Sequence, residues 1–265
     1  RLLSYDDGAE SGGIVTLVEA SEAGPQGSGA EINRRLLMNV RLDDSHSYVF
    51  DLSRMQGGDA HELFQRGTEL EDMETTEEGI VFQNTGKANL AEEAPFKAQS
   101  SHALVSDMKN LYAPRKAAGT SDFSFTWTGE ESGSEITSYM NGVPDSSVYL
   151  TSIPTARRIN TKADEAIYRT PHLTRYVKPA SVDSVTRYGA VHETTKKGEN
   201  SQIEAVEWGY PEGCGSMGII VKITTSSFID YIYAGGDAKE IQYDDISFAG
   251  KQALVRKDRE SGTVL

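Results

Sequence analysis

At 265 residues the chain is long enough for one large all-β domain or two ordinary ones, with a sizeable core in either case. Hydrophobic residues make up 37%, yet no apolar run comes near the roughly 18 residues of a helical span, which excludes a membrane-crossing helix and a chain too polar to fold. The single cysteine, Cys214, excludes an internal disulfide framework and multi-cysteine metal sites, and a net charge of -14 disfavours nucleic acid, whose phosphates need a concentrated positive face.

Period-two alternation is the main structural signal, and it predicts about ten strands and almost no helix. In chain order, Leu36, Met38, Val40 and Leu42 alternate with Leu37, Asn39 and Arg41, and Ser47–Leu52 follows across the polar turn Asp43-Asp44-Ser45. The acidic run Glu69–Glu78 reads as a loop, as do residues 19–31 and Glu92–Pro95, while Gly79–Gln83 reads as a strand. Leu104, Met108 and Leu111 are spaced as in a short helix or an irregular surface segment ending before Pro114. Phe123, Phe125 and Trp127 then form one face of a strand, so Trp127 is expected in the core.

Ser147–Ile153, Ile203–Trp208, Gly218–Thr224, Phe228–Tyr233, Asp245–Phe248 and Gln252–Arg256 complete the set, rich in residues that suit a pleated surface. Gly57-Gly58-Asp59, Gly129 to Gly133, Asn141-Gly142, Gly235-Gly236-Asp237 and Ala249-Gly250-Lys251 punctuate them as turns. The expected fold is all-β: a large antiparallel two-layer β-sandwich over residues 1–205, with a smaller C-terminal β-sheet portion over 206–265 that is either separate or continuous with it.

Charge is uneven, with residues 1–100 carrying a net -11 and a single basic stretch between Arg157 and Lys197 reaching +5. That stretch reads as a solvated face or as a local anion-binding surface. No nucleotide or phosphate loop and no nucleophile elbow is present, and Cys214 sits in a glycine-flanked turn better read as structure than as a nucleophile. The five histidines lack the i,i+2 or i,i+4 spacing of a metal site, so neither metal nor cofactor is expected. His61 stands out because it follows Gly57-Gly58 at the end of a strand, where a loop can hold an imidazole over a groove.

The segment Tyr48-Val49-Phe50-Asp51-Leu52-Ser53-Arg54-Met55-Gln56-Gly57-Gly58-Asp59-Ala60-His61 resembles a strand of the heparinase II/III-like polysaccharide lyases, alginate lyases among them. His61 and Gly67 match the continuation of that motif, and Arg66 stands where the family often has a second histidine. Pro171-His172-Leu173-Thr174-Arg175, Val191-His192-Glu193 and Ile246-Ser247-Phe248-Ala249-Gly250-Lys251 resemble later family elements in the same order, so the likeness spans roughly residues 30–260.

The resemblance implies the β-sandwich portion of a bacterial, periplasmic or extracellular enzyme that cleaves uronic-acid polysaccharide by β-elimination. Its partners would be an acidic polysaccharide and an N-terminal α/α-toroid, with no nucleic acid and no membrane span. The family's catalytic and zinc-bearing segments are not found in these residues, so the chain reads as a portion inactive alone, without an assignable catalytic residue and with His61, Arg66 and Arg54 as substrate-binding candidates. The alternative expectation is a non-catalytic carbohydrate-binding or cell-surface interaction module.

Overall fold

The computed structural model describes residues 1–22, 29–97, 108–155 and 168–265, leaving aside the side chains of 97 and 236–239. The chain divides into two compact units: Arg1–Asp59, Pro179–Glu193 and Glu199–Leu265 form the first, and Ala60–Lys178 with Thr194–Gly198 the second. The fold is all-β and antiparallel, as the alternation implies. The expected boundary at 205/206 falls inside a strand, Ile203–Gly209.

The first unit is built from β1 (Leu2–Asp6), β2 (Val15–Ser21), β3 (Ala30–Arg41), β4 (Ser47–Gly57) and β13 (Thr186–Thr195), side by side in that order. A second sheet has the order β14 (Ile203–Gly209), β15 (Ile219–Thr225), β16 (Phe228–Tyr243) and β17 (Ile246–Asp258). Leu36, Met38 and Val40 of β3 and Phe50 and Leu52 of β4 are almost fully buried, each worth about 1.5–3 kcal/mol as it leaves water. Phe50 meets Trp208 at 6.2 Å between ring centroids, joining the two layers.

A polar network lies in the same interior. Asp230, fully buried, accepts from the Tyr48 hydroxyl at 2.7 Å and from Arg256 Nε and Nη2 at 2.7 and 2.6 Å, and Arg256 Nη1 reaches the Arg41 carbonyl at 2.9 Å. A buried carboxylate with a bidentate arginine and a third donor avoids the cost of an unpaired charge.

In the second unit β10 (Glu135–Met140), β9 (Phe123–Gly129) and β6 (Met73–Glu78) lie side by side in that order. The same unit holds a five-stranded sheet of the order β5 (His61–Arg66), β12 (Arg169–Val177), β11 (Ser147–Pro154), β8 (Tyr112–Ala118) and β7 (Gln83–Asn84). Trp127 is 2% exposed, packs on Phe125 at 4.6 Å and donates its indole N–H to the Pro171 carbonyl at 3.4 Å, so it is the core residue expected of it. A short segment with Leu90 and Phe96 packs with Met108 and Leu111 on Tyr149. Leu104, the first member of the expected helical spacing, lies outside the described residues.

Three sequence expectations are corrected. Glu69–Glu78 is not all loop, because Met73–Glu78 forms the edge strand β6. The expected strand Gly79–Gln83 is strand only at Gln83, in β7: Gly79 has φ +77°, and Ile80 and Phe82 serve packing, Phe82 meeting Phe125 edge-on at 6.4 Å. The two C-terminal runs are one strand, β17, and the Gly235-Gly236-Asp237 signal lies within β16.

Candidate functional site

The second unit carries a cleft of about 310 Å³ between β6 and the strands β8, β11 and β12. Met73, Thr75, Tyr112, Arg115, Ser152 and Arg169 line its mouth, with Leu150, Thr151 and Thr170 deeper. Its position follows from an irregularity in β8. Leu150 is opposite Arg115 and Ser152 opposite Tyr112, so a two-residue step on β11 is matched by a three-residue step on β8.

The extra residue is a β-bulge, and it reverses the alternation. In a regular strand Tyr112 and Arg115 would project from opposite faces; across the bulge both join Leu150 and Ser152 at the cleft. Ala113 adopts φ +48° there, a conformation that disfavours a residue with a Cβ. Pro114, which has no N–H to lose from the ladder, occupies the adjoining position.

The guanidinium of Arg169 lies 4.1 Å above the Tyr112 ring, and that of Arg115 lies 5.8 Å from the Phe82 ring. Stacking fixes the plane of an arginine while leaving its N–H edge directed sideways, which suits bidentate recognition of a carboxylate. Hydroxyls of Thr75, Tyr112, Thr151, Ser152 and Thr170 surround the pair. Among the described residues that line the cleft there is no Asp or Glu, although the chain holds 40 acidic residues against 26 basic ones. The described lining therefore carries two arginine side chains on a protein of net charge -14.

His172 lies behind the cleft, 5% exposed, with its Nδ1 at 3.5 Å from both Thr151 Oγ1 and Thr174 Oγ1. Burial, with repulsion from Arg66 added, lowers its pKa to about 4, so the imidazole is neutral near pH 7.

The three expected substrate-binding residues do not line this cleft. His61 is 3% exposed at the start of β5, opposite Val177, and is enclosed rather than held over a groove. Arg66 ends the same strand and forms an ion pair with Glu69. Arg54 belongs to the first unit, is 1% exposed, and donates to Glu19 at 2.9 Å and to the Met217 carbonyl at 3.0 Å. Asp51 is held by Arg35 through two bonds of 2.9 and 2.7 Å and has His192 at 3.5 Å. Although burial opposes it, these partners hold the Asp51 carboxyl below its ordinary pKa.

Cys214 is half-buried with Sγ 3.6 Å from the Gly218 carbonyl, and burial raises its thiol pKa, the opposite of an activated thiolate. Of the expected basic stretch, Arg157, Arg158 and Lys162 lie outside the described residues, while Arg169 reaches the cleft. Tyr112 and Arg115 escaped sequence reasoning because a bulge has no apolar signature; Ala113-Pro114 within a strand-like run is the trace it leaves. Among the described residues no group of three or more His, Cys, Asp or Glu could hold a metal ion, and no helix is long and apolar enough to cross a membrane.

No protein-family model matches the chain, and no curated protein matches it.

Proposed function

We propose that the chain is a non-catalytic, acidic-saccharide-binding β-sandwich, the accessory portion of a bacterial polysaccharide lyase of the heparinase II/III-like kind that works outside the cytoplasm. One observation carries the binding reading: Arg115 and Arg169, with Tyr112, meet in a hydroxyl-lined cleft whose described lining holds no carboxylate. A uronate offers the groups that such a cleft complements, since its carboxylate accepts from the guanidiniums and its hydroxyls exchange hydrogen bonds with Thr75, Ser152 and Thr170.

The binding-only reading follows from the same lining. β-Elimination needs a base at C5 and an acid at the leaving oxygen. Among the described lining residues Tyr112 is the one phenol and no His, Cys, Asp, Glu or Lys stands with it, and one proton-transferring group without a second does not complete the pair.

The test is a calorimetric titration with oligouronates from alginate and from chondroitin, alongside a neutral glucan, while unsaturated-uronate absorbance is followed. Saturable binding of an oligouronate without turnover is expected, weakened about tenfold or more by Arg115→Gln or Arg169→Gln. Equal binding of the neutral glucan, or affinity unchanged in both variants, would overturn the proposal, and turnover would overturn its non-catalytic part.

A further inference from the structure

β6 is an edge strand of the second unit. Met73–Glu78 pairs with β9, from Met73 opposite Gly129 to Glu78 opposite Ser124, and no strand among the described residues pairs with its other side. Alternate residues of such a strand turn their N–H and C=O groups outward, an open ladder that another extended chain completes. Gly79, at φ +77°, ends the strand, so the open ladder is the six residues of β6.

The side chains around that ladder carry one sign. β6, β9 and β10 hold four glutamates, Glu74, Glu77, Glu78 and Glu135, and neither lysine nor arginine. The register partners of the three β6 glutamates are Thr128, Phe125 and Ser124, so no cation stands opposite them on β9. Glu74, Thr76 and Glu78 are exposed and share one face of the strand, while Met73 and Thr75 of the other face line the cleft.

The chemistry of the edge separates its candidate occupants. A second copy of β6 would set glutamate against glutamate, and like charges directly opposite one another destabilise a strand pair. A single metal ion does not bridge Glu74 and Glu78, which are four residues and about 13 Å apart along the strand. A strand with lysine or arginine at alternate positions completes the ladder and meets Glu74 and Glu78 together, with a neutral residue free to lie opposite Thr76.

We infer that β6 is a docking edge for an extended basic segment of a partner polypeptide, added to the sheet as a further strand. The open ladder holds the segment, and the glutamates select its sign. The edge uses neither Arg115 nor Arg169 and stands independently of the saccharide reading.

The probe is a short peptide alternating lysine with threonine, titrated by calorimetry into the full chain at about 20 mM sodium chloride, where surface charges are little screened. Two controls are titrated beside it: the same peptide fully N-methylated, which keeps the charges and has no backbone N–H to donate, and a peptide alternating glutamate with threonine. Hydrogen exchange of the β6 amides is followed with and without the basic peptide. We expect one saturable equivalent of the basic peptide, bound about tenfold or more tighter than either control, with slowed exchange of the outward-facing amides of Met73–Glu78. Glu74→Gln combined with Glu78→Gln, both at exposed positions, keeps the fold by circular dichroism and lowers the affinity about fivefold or more. The inference is overturned if the N-methylated peptide binds as tightly, since charge alone then suffices, if the double variant binds like the parent chain, or if the β6 amides gain no protection. It is overturned equally if the chain alone sediments as a dimer in which those amides are already slowed, which would give the edge to a second copy.

Discussion

His172 shows how a single buried side chain writes itself into the pH response. Its folded pKa of about 4 lies below the ordinary 6.5, so between these values the unfolded chain takes up a proton that the folded chain refuses. Stability is therefore level above about pH 6.5, falls as pH drops toward about 4, and the full gap corresponds to about 3 kcal/mol. Asp51 loses its contribution only in stronger acid, below its ordinary 3.8, so the two windows separate. Urea denaturation from pH 7 to pH 4 should show this slope, flattened in His172→Gln; an unchanged slope in that variant would place the effect elsewhere. At this scale sequence reasoning found residues more readily than partners. Arg54 was expected to bind substrate, yet it donates to the Met217 carbonyl and to Glu19 on β2, pairings that local spacing does not encode.

Strands with one apolar face were legible, and those whose buried positions are polar were not. In β2 the buried positions are Val15 and Glu19, the latter neutralised by Arg54, so the period-two signal is broken by a glutamate. In β6 no residue is fully buried, and an edge strand of Met, Thr and Glu reads like an acidic loop. Glycine signals were misassigned for a related reason. β16 and β17 shift register between Ala234 and Lys239, opposite Gln252 and Gly250, so the two glycine motifs face one another as an irregularity within one long hairpin. Its reversal is at Asp244, φ +52°, between the partners Tyr243 and Ile246. The β8 bulge yields a prediction of its own. Deleting Ala113 leaves Tyr112 two positions from Arg115, on one face of a regular strand as the bulge now places them, so oligouronate affinity should stay within about threefold of the parent, as it should in Ala113→Gly, which suits φ +48°. Titration of both variants decides: affinity lost in the deletion would mean that the site needs the bulge itself and not merely the shared face.

Across the whole molecule the fold class was the most legible property, because alternation repeated along the chain tolerates individual misreadings. The partition into two units was not legible, since no change of composition marks residues 59–60 or 178–179. The net charge of -14 and the two arginines of the cleft give sodium chloride opposite effects. Raising it from about 20 to about 300 mM shrinks the reach of self-repulsion, so stability should increase, whereas affinity for an oligouronate should decrease as the arginines are screened. Melting and titration in the same buffers test this, and a common sign would contradict it. The chain path has a kinetic consequence. β4 and β13 pair from Met55 with Thr186 onward, yet Ala60–Lys178, nearly all of the second unit, is threaded between them, while His61 and Val177, next to the ends of that segment, are register partners. Pairing β4 with β13 across an unfolded insert means closing a very long loop, but a second unit that has already folded holds its ends together and shortens the search to a few residues. The inserted unit is thus the natural first folder, and the first unit, translated in part before it, waits for its last central strand until the insert has condensed.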